Sequence, residues 1–171
     1  LSGQQSAQYS LFNWNKMAWN PAFAGLDHSL SVTGHTRSQW QGIDGNPETQ
    51  QINAHVPFYF INSGFGLLIE NDATGPMKNL RIGLNYSYQL NLANGILALG
   101  LGLEQIQRRL DGSKLRTPDG TYADDLPPDH ADAVLTGAMV NGSVLYFNGG
   151  VYYYSEKFEA GLSVMNMTEP L

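Results

Sequence analysis

No cysteine occurs in the 171 residues, which removes disulfide frameworks, thiolate zinc sites, iron–sulfur ligation and cysteine nucleophiles together. Charge is scarce too. Only 14% of residues are charged, against about 25% in an ordinary soluble domain. Positive charge is the scarcer sign, with 9 Lys and Arg against 15 Asp and Glu and a formal net charge of -6. A basic surface that tracks nucleic-acid phosphates is therefore excluded. No basic stretch followed by an apolar one opens the chain, and we expect a signal peptide to have been removed. Long apolar runs are missing as well. Ile82 to Leu103 and Ala133 to Ser155 are uncharged and long enough for a transmembrane helix, but the first alternates polar and apolar around Asn94-Gly95. The second is broken by Gly137, Gly142, Gly149 and Gly150. Both patterns belong to strands and hairpins.

What is abundant is glycine, with 19 residues, and tyrosine, with 9. From His28 onward the chain resolves into segments of period two, each predicting a strand. His28 to Trp40 places Leu30, Val32, Gly34, Thr36 and Trp40 on one face and Ser31, Thr33, His35 and Arg37 on the other. Thr49 to Val56, Gly64 to Asn71, Leu80 to Leu90, Leu97 to Glu104, Ser143 to Tyr154 and Phe158 to Asn166 repeat the scheme. The fourth segment is the clearest: Leu80, Ile82, Leu84, Tyr86, Tyr88 and Leu90 oppose Arg81, Gly83, Asn85, Ser87 and Gln89. A strand of about 9–11 residues at a tilt near 45° crosses a bilayer.

The position of charge decides what the apolar face meets. Arg37, Glu70, Arg81, Glu104 and Glu159 all fall on the polar, glycine-rich face of their segments. A soluble barrel points its apolar side chains inward and its charges outward, whereas a membrane barrel does the reverse, since Arg at mid-bilayer costs about 2–4 kcal/mol. The predicted connections alternate, shorter after the second, fourth and sixth segments and longer after the first, third and fifth. That is the pattern of outer-membrane barrels, with short periplasmic turns and long outer loops. Phe65, Tyr86, Tyr88, Tyr153 and Phe158 lie on the apolar face near the short turns, as an interfacial girdle requires. The expectation is an all-β, antiparallel transmembrane β-barrel with about seven strands in this chain. An odd number leaves a bacterial-type barrel unclosed, so the chain reads as half of a larger barrel. Residues 1–27 form a non-regular segment, periplasmic or packed in the lumen, since Tyr9, Phe12, Trp14, Met17, Trp19 and Phe23 need burial. Residues 28–171 form the partial barrel, with a long outer loop at 109–141.

The motif content points the same way. Gln8-Tyr9-Ser10-Leu11-Phe12-Asn13, Asn20-Pro21-Ala22-Phe23-Ala24-Gly25 and Arg37-Ser38-Gln39-Trp40-Gln41-Gly42-Ile43-Asp44-Gly45 with Pro47-Glu48-Thr49-Gln50 stand in fixed order. Later come Asn71-Asp72 with Gly75-Pro76, Leu84-Asn85-Tyr86-Ser87-Tyr88, and Gly150-Val151-Tyr152-Tyr153-Tyr154-Ser155 with Gly161-Leu162-Ser163-Val164. Together these resemble the PorP/SprF family of the Bacteroidetes type IX secretion system across essentially the whole chain. The resemblance implies the amino-terminal half of an outer-membrane barrel without enzymatic activity or cofactor. It also implies partners: a secreted surface adhesin or other type IX cargo, including adhesins of gliding motility, a periplasmic peptidoglycan-binding lipoprotein or motor components, and the surrounding outer-membrane lipid. The acidic stretch Asp119 to Asp132 departs from the family pattern and reads as a variable loop.

Candidate site residues fall into two groups. Asn20 and Pro21, together with the loop residues Trp40, Gly42, Asp44 and Gly45, are candidates for partner contact, and for the Trp40 to Pro47 loop a tightly packed turn is an equal alternative. Arg37, Glu70, Arg81, Glu104 and Arg108 are candidate lumen charges, serving wall rigidity, selectivity or docking of the amino-terminal segment. His35 and His55 share the polar face, and a turn near Asp44 would bring them within about one pair of each other, but two histidines without a third ligand more often serve as hydrogen-bonding residues. Gly100-Leu101-Gly102 lacks the third glycine of a dinucleotide loop and reads as small lumen residues that make room for a plug. Asp119 to Asp132 lacks the calcium-loop register. Two other functions stay open: a passive porin or nutrient channel, and a lipid-modifying barrel enzyme using a serine or histidine at the outer face.

Overall fold

The computed structural model describes residues 15–43, 45–115, 120 and 139–168. The expectations placed on Tyr9, Phe12, Trp14, Asp44 and Asp119, and on the acidic loop beyond Gly120 up to Asp132, lie outside them. Seven antiparallel strands follow one another in sequence order across a single sheet: β1 (Ser31–Ser38), β2 (Glu48–Phe58), β3 (Ser63–Thr74), β4 (Met77–Leu92), β5 (Gly95–Asp111), β6 (Met139–Tyr154) and β7 (Glu159–Val164). The described residues contain no α-helix. The sheet curls into a half-barrel.

The period-two pattern sorts its two faces as expected. On the outer face Ile52, Leu84, Leu101, Phe147 and Leu162 are exposed, while on the concave face Gln51, Asn53, Ser87, Glu104 and Asn148 are buried. Register carries the alternation from strand to strand: Leu67 stands opposite Leu84 and Leu84 opposite Leu103, while Gly66 stands opposite Asn85 and Asn85 opposite Gly102.

One connection differs from the sequence reading. The third was expected to be long, but β3 and β4 run on past Asn71 and Leu80 and meet in a two-residue turn, Gly75-Pro76. The pairing of Asp72 with Asn79 and of Ala73 with Lys78 consumes the supposed loop. Polar side chains there look like loop in sequence because this stretch lies beyond the apolar band. Gly75 has φ +55°, the left-handed value that a tight hairpin turn asks of its first central residue.

Residues 15–27 lie across the concave face. Two short 3-10 turns, Lys16–Ala18 and Pro21–Phe23, shape them, and the second begins with Asn20, whose Oδ1 accepts from the Ala22 amide at 2.9 Å. Proline at the first helical position suits that start, because its missing N–H would have no partner there. Four inward glycines on three strands form the seat. A methyl group at Gly64, Gly66, Gly100 or Gly150 would overlap the Ala24 carbonyl, the Met17 sulfur, the Ala22 nitrogen or Asn20 Oδ1, respectively. Around this contact Ala22, Leu26, Ala98 and Tyr152 make a small apolar core with Phe23 and Ile96 at its margin.

Because the seat is closed at backbone distance, Gly100→Val is expected to abolish folding of the barrel, whereas Gly142→Ala, which points into open space, is expected to be neutral. The check is the heat-modifiable mobility of each variant on a semi-denaturing gel. Equal folded fractions for both would show that the segment is not seated on Gly100.

Candidate functional site

The concave face carries a continuous polar network that begins in the amino-terminal segment and ends on β5. Asn15, almost fully buried, donates to Gln51 Oε1 and accepts from Asn53 Nδ2 at 2.6 Å. Gln51 Nε2 donates to Glu70 Oε2 at 2.9 Å. Arg81 then stands between two carboxylates, with Nε 2.9 Å from Glu104 Oε2 and Nη1 3.8 Å from Glu70 Oε1. Sheet register explains the meeting, since Gln51, Glu70 and Arg81 are successive partners across β2, β3 and β4. Glu104, opposite Gly83, lies one diagonal step from Arg81 and reaches it past a residue with no side chain. Glu104 is only 2% exposed, and such a charge is tolerable only when paired and hydrogen-bonded.

Of the expected lumen charges, Glu70, Arg81 and Glu104 are therefore brought together. Arg37 lies on the same face of β1, half-buried and with an interaction of its own. Arg108 shares the face by register but is exposed toward the far end of β5, away from the cluster.

A second group of contacts fastens the segment to the last strands. Lys16 Nζ pairs with both oxygens of Glu159 at 2.6 and 2.7 Å and lies 5.4 Å from the Phe23 ring centroid. Tyr152 donates its hydroxyl to Glu159 at 3.0 Å. Asn20 Nδ2 donates to the carbonyls of Val151 and Leu162, on β6 and β7, at 3.1 and 3.2 Å. Asn20 and Pro21, expected among the partner-contacting residues, are thus buried against this chain's own strands. At the other side, His55 Nδ1 accepts from the Gly25 amide at 3.2 Å and its Nε2 lies 3.4 Å from Asp27 Oδ2.

The histidine pair expected from the sequence does not form. His55 stands opposite Ser31 and His35 opposite Gln51, a separation of four positions or about 13 Å along the strands. The β1–β2 loop turns about residue 43, because Ser38 pairs with Glu48, and this moves the two apart. Among the described residues no group of three or more His, Asp or Glu side chains is placed to hold a metal ion.

The remaining candidates, Trp40, Gly42 and Gly45, sit in the β1–β2 loop at the rim. Backbone hydrogen bonds from Gln39 to Pro47 (3.0 Å), Ile43 to Trp40 (3.3 Å) and Asn46 to Ile43 (3.2 Å) hold it, and Asn46 Nδ2 donates to Ser38 Oγ at 3.0 Å. The Gly75 amide of the β3–β4 turn donates to the Gly45 carbonyl at 2.9 Å, so the two connections brace each other. Trp40 itself adopts φ +55° and is 70% exposed. A bulky side chain in the left-handed region is a true outlier and persists only where its surroundings impose it. Ile43 is exposed beside it in sequence.

Asn15, Lys16, Gln51, Asn53 and Tyr152 were not picked out from the sequence. Gln51 and Asn53 carried a signal, their parity with Glu70 and Arg81 on the inward face, whereas Asn15 and Lys16 lie in a segment without period.

Comparison with known families gives a match over residues 1–171 to the family described as type IX secretion system membrane protein PorP/SprF. No curated protein and no solved structure matches the chain.

Removing the cation between Glu70 and Glu104 leaves two buried carboxylates uncompensated. Arg81→Ala is expected to destabilise the fold by about 3–5 kcal/mol, read as a lower urea midpoint in lipid vesicles. The double change Arg81→Ala with Glu104→Gln is expected to recover part of that loss. Additive losses in the double variant would show that Arg81 and Glu104 do not interact.

Proposed function

The chain belongs to the PorP/SprF family of type IX secretion system membrane proteins, and from that premise we propose that it is a non-enzymatic outer-membrane barrel component that docks a secreted surface protein. Gliding-related adhesins are the partner class that the family suggests, with a periplasmic peptidoglycan-binding lipoprotein or motor component on the other side of the membrane. The inverted distribution of polarity supports the membrane placement: the concave face is polar and the outer face exposes Leu, Ile, Val and aromatic side chains, the arrangement of a barrel in lipid.

The observation that carries the docking role is the braced rim loop. Trp40 is held in a costly backbone conformation by hydrogen bonds on both sides and is offered to the exterior. Strain of this kind collects at binding sites, and tryptophan is among the residues enriched at interface hot spots. In this reading the loop lies on the outer side, where longer connections of such barrels project.

The passive-channel alternative draws less support. Residues 15–27 occupy the concave face through backbone contacts with glycine and several buried hydrogen bonds, and a seated segment obstructs the path an ion would take. For a lipid-modifying enzyme the outer face would have to carry a serine or histidine with a base beside it; His35 and His55 lie on the concave face by register, and exposed Ser143 has Gln105 as its side-chain hydrogen-bond partner.

Tagged protein extracted gently from its native envelope is expected to retain a large secreted adhesin or a peptidoglycan-binding lipoprotein in stoichiometric amount. Trp40→Ala is expected to weaken adhesin retention by about 2 kcal/mol, roughly thirtyfold in affinity, with folding unchanged. A partnerless barrel that conducts ions in a planar bilayer would overturn the docking role in favour of the channel.

A further inference from the structure

The outer face is not uniformly ridged. Along its band of Leu, Ile, Val and aromatic side chains, Ala54 of β2 is a residue with a single methyl group, and its cross-strand partners are Val32 and Leu67. A groove of about 450 Å³ opens over it, walled by Leu30, Val56, Phe65, Leu84, Tyr86 and Leu101. Two features of the chain deepen it. β1 starts late, since its first residue, Ser31, pairs with His55, and Val56, Pro57 and Phe58 have no partner on that strand. The chain enters β1 from His28, whose φ is +57° and whose carbonyl accepts the Tyr59 hydroxyl. Pro57, which has no N–H to leave unsatisfied, sits in that unpaired stretch.

The groove has a polar end. Phe65 and Tyr86 pack with ring centroids 5.2 Å apart, Phe58 packs edge-on to Phe65 at 5.2 Å, and the Tyr86 hydroxyl hydrogen-bonds Ser63 Oγ at 2.9 Å. An apolar slot with the single hydroxyl of Tyr86 at its short-turn end matches a molecule with a hydrocarbon body and a polar head at the interface.

We propose that this groove is a binding site for one acyl chain of a glycerophospholipid, with its headgroup at the Phe65–Tyr86 end. The proposal rests on the membrane placement argued above. The groove is continuous with the face that reading sets against lipid, so hydrocarbon is the solvent from which it is filled. Its volume falls within the range of small-molecule pockets, about 300–1,000 Å³.

The test is native mass spectrometry of the full chain, purified in detergent and titrated with palmitoyl-oleoyl-phosphatidylethanolamine. Wild type is expected to keep one lipid per chain. Ala54→Phe, which fills the slot, is expected to lower retention about tenfold, a difference within reach of a few lost hydrocarbon contacts. Leu101→Ala removes one wall without adding bulk and is expected to lower retention too, which covers the case of Ala54→Phe failing to fold. Leu103→Phe, outward on β5 but outside the groove, is expected to keep wild-type retention. Equal retention by wild type, Leu101→Ala and Ala54→Phe would overturn the groove while leaving the membrane reading intact. Recovery of the wild-type chain in a soluble fraction, away from the outer membrane, would overturn the membrane reading and the lipid site with it.

Discussion

Everything in this structure depends on a sheet whose apolar side chains point away from its concavity. Leu84, Leu101 and Leu162 are exposed while Glu104, Asn148 and Ser87 are buried, so the interior must be stabilised by satisfying polar groups rather than by collecting apolar ones. A dry cavity that left those groups bare would forfeit that. The chain's answer is a segment of its own laid against the concave face.

That segment is held by two means with different physics. Glycines at Gly64, Gly66, Gly100 and Gly150 let backbone approach backbone, which fixes position through close packing. Asn15, Gln51, Glu70, Arg81 and Glu104 then form a chain of charge-assisted and neutral hydrogen bonds that specifies register, because partly satisfied buried networks are costly. Ser87 Oγ donating to the Ala24 carbonyl at 2.5 Å and Asn20 bridging β6 and β7 tie the segment to both the middle and the end of the sheet. The segment thus links β2 through β7 on one face, and it makes the half-barrel a filled body instead of an open trough.

With the interior occupied, chemistry moves to the rims and the outer face. At one rim the β1–β2 loop and the β3–β4 turn brace each other through Gly45 and Gly75 and present Trp40. At the other, Phe58, Phe65 and Tyr86 pack together where the strands leave the apolar band. Rigid loops on a rigid scaffold suit the recognition of a partner better than the turnover of a substrate, and the family assignment fits that use.

The sequence alone determined the all-β class, the seven strands and which face of each is apolar, because a side-chain period of two is written directly into residue order. It also put Glu70, Arg81 and Glu104 on one face by parity. It misjudged what depends on register and reach. The β3–β4 connection looked like a loop because Asp72, Ala73, Lys78 and Asn79 carry no apolar alternation, yet backbone pairing needs none. His35 and His55 seemed close because the centre of the β1–β2 turn is not marked in the residues, and a shift of the turn slides the whole hairpin. Asn20 and Pro21 stood as candidates for partner contact in a segment expected to be buried in the lumen or on a partner, and they lie against this chain's own strands, a choice that a non-periodic segment does not spell out. Parity is local and survives in sequence; register, the seat for residues 15–27 and the groove over Ala54 arise from contacts between residues far apart in the chain, and only the folded sheet decides them.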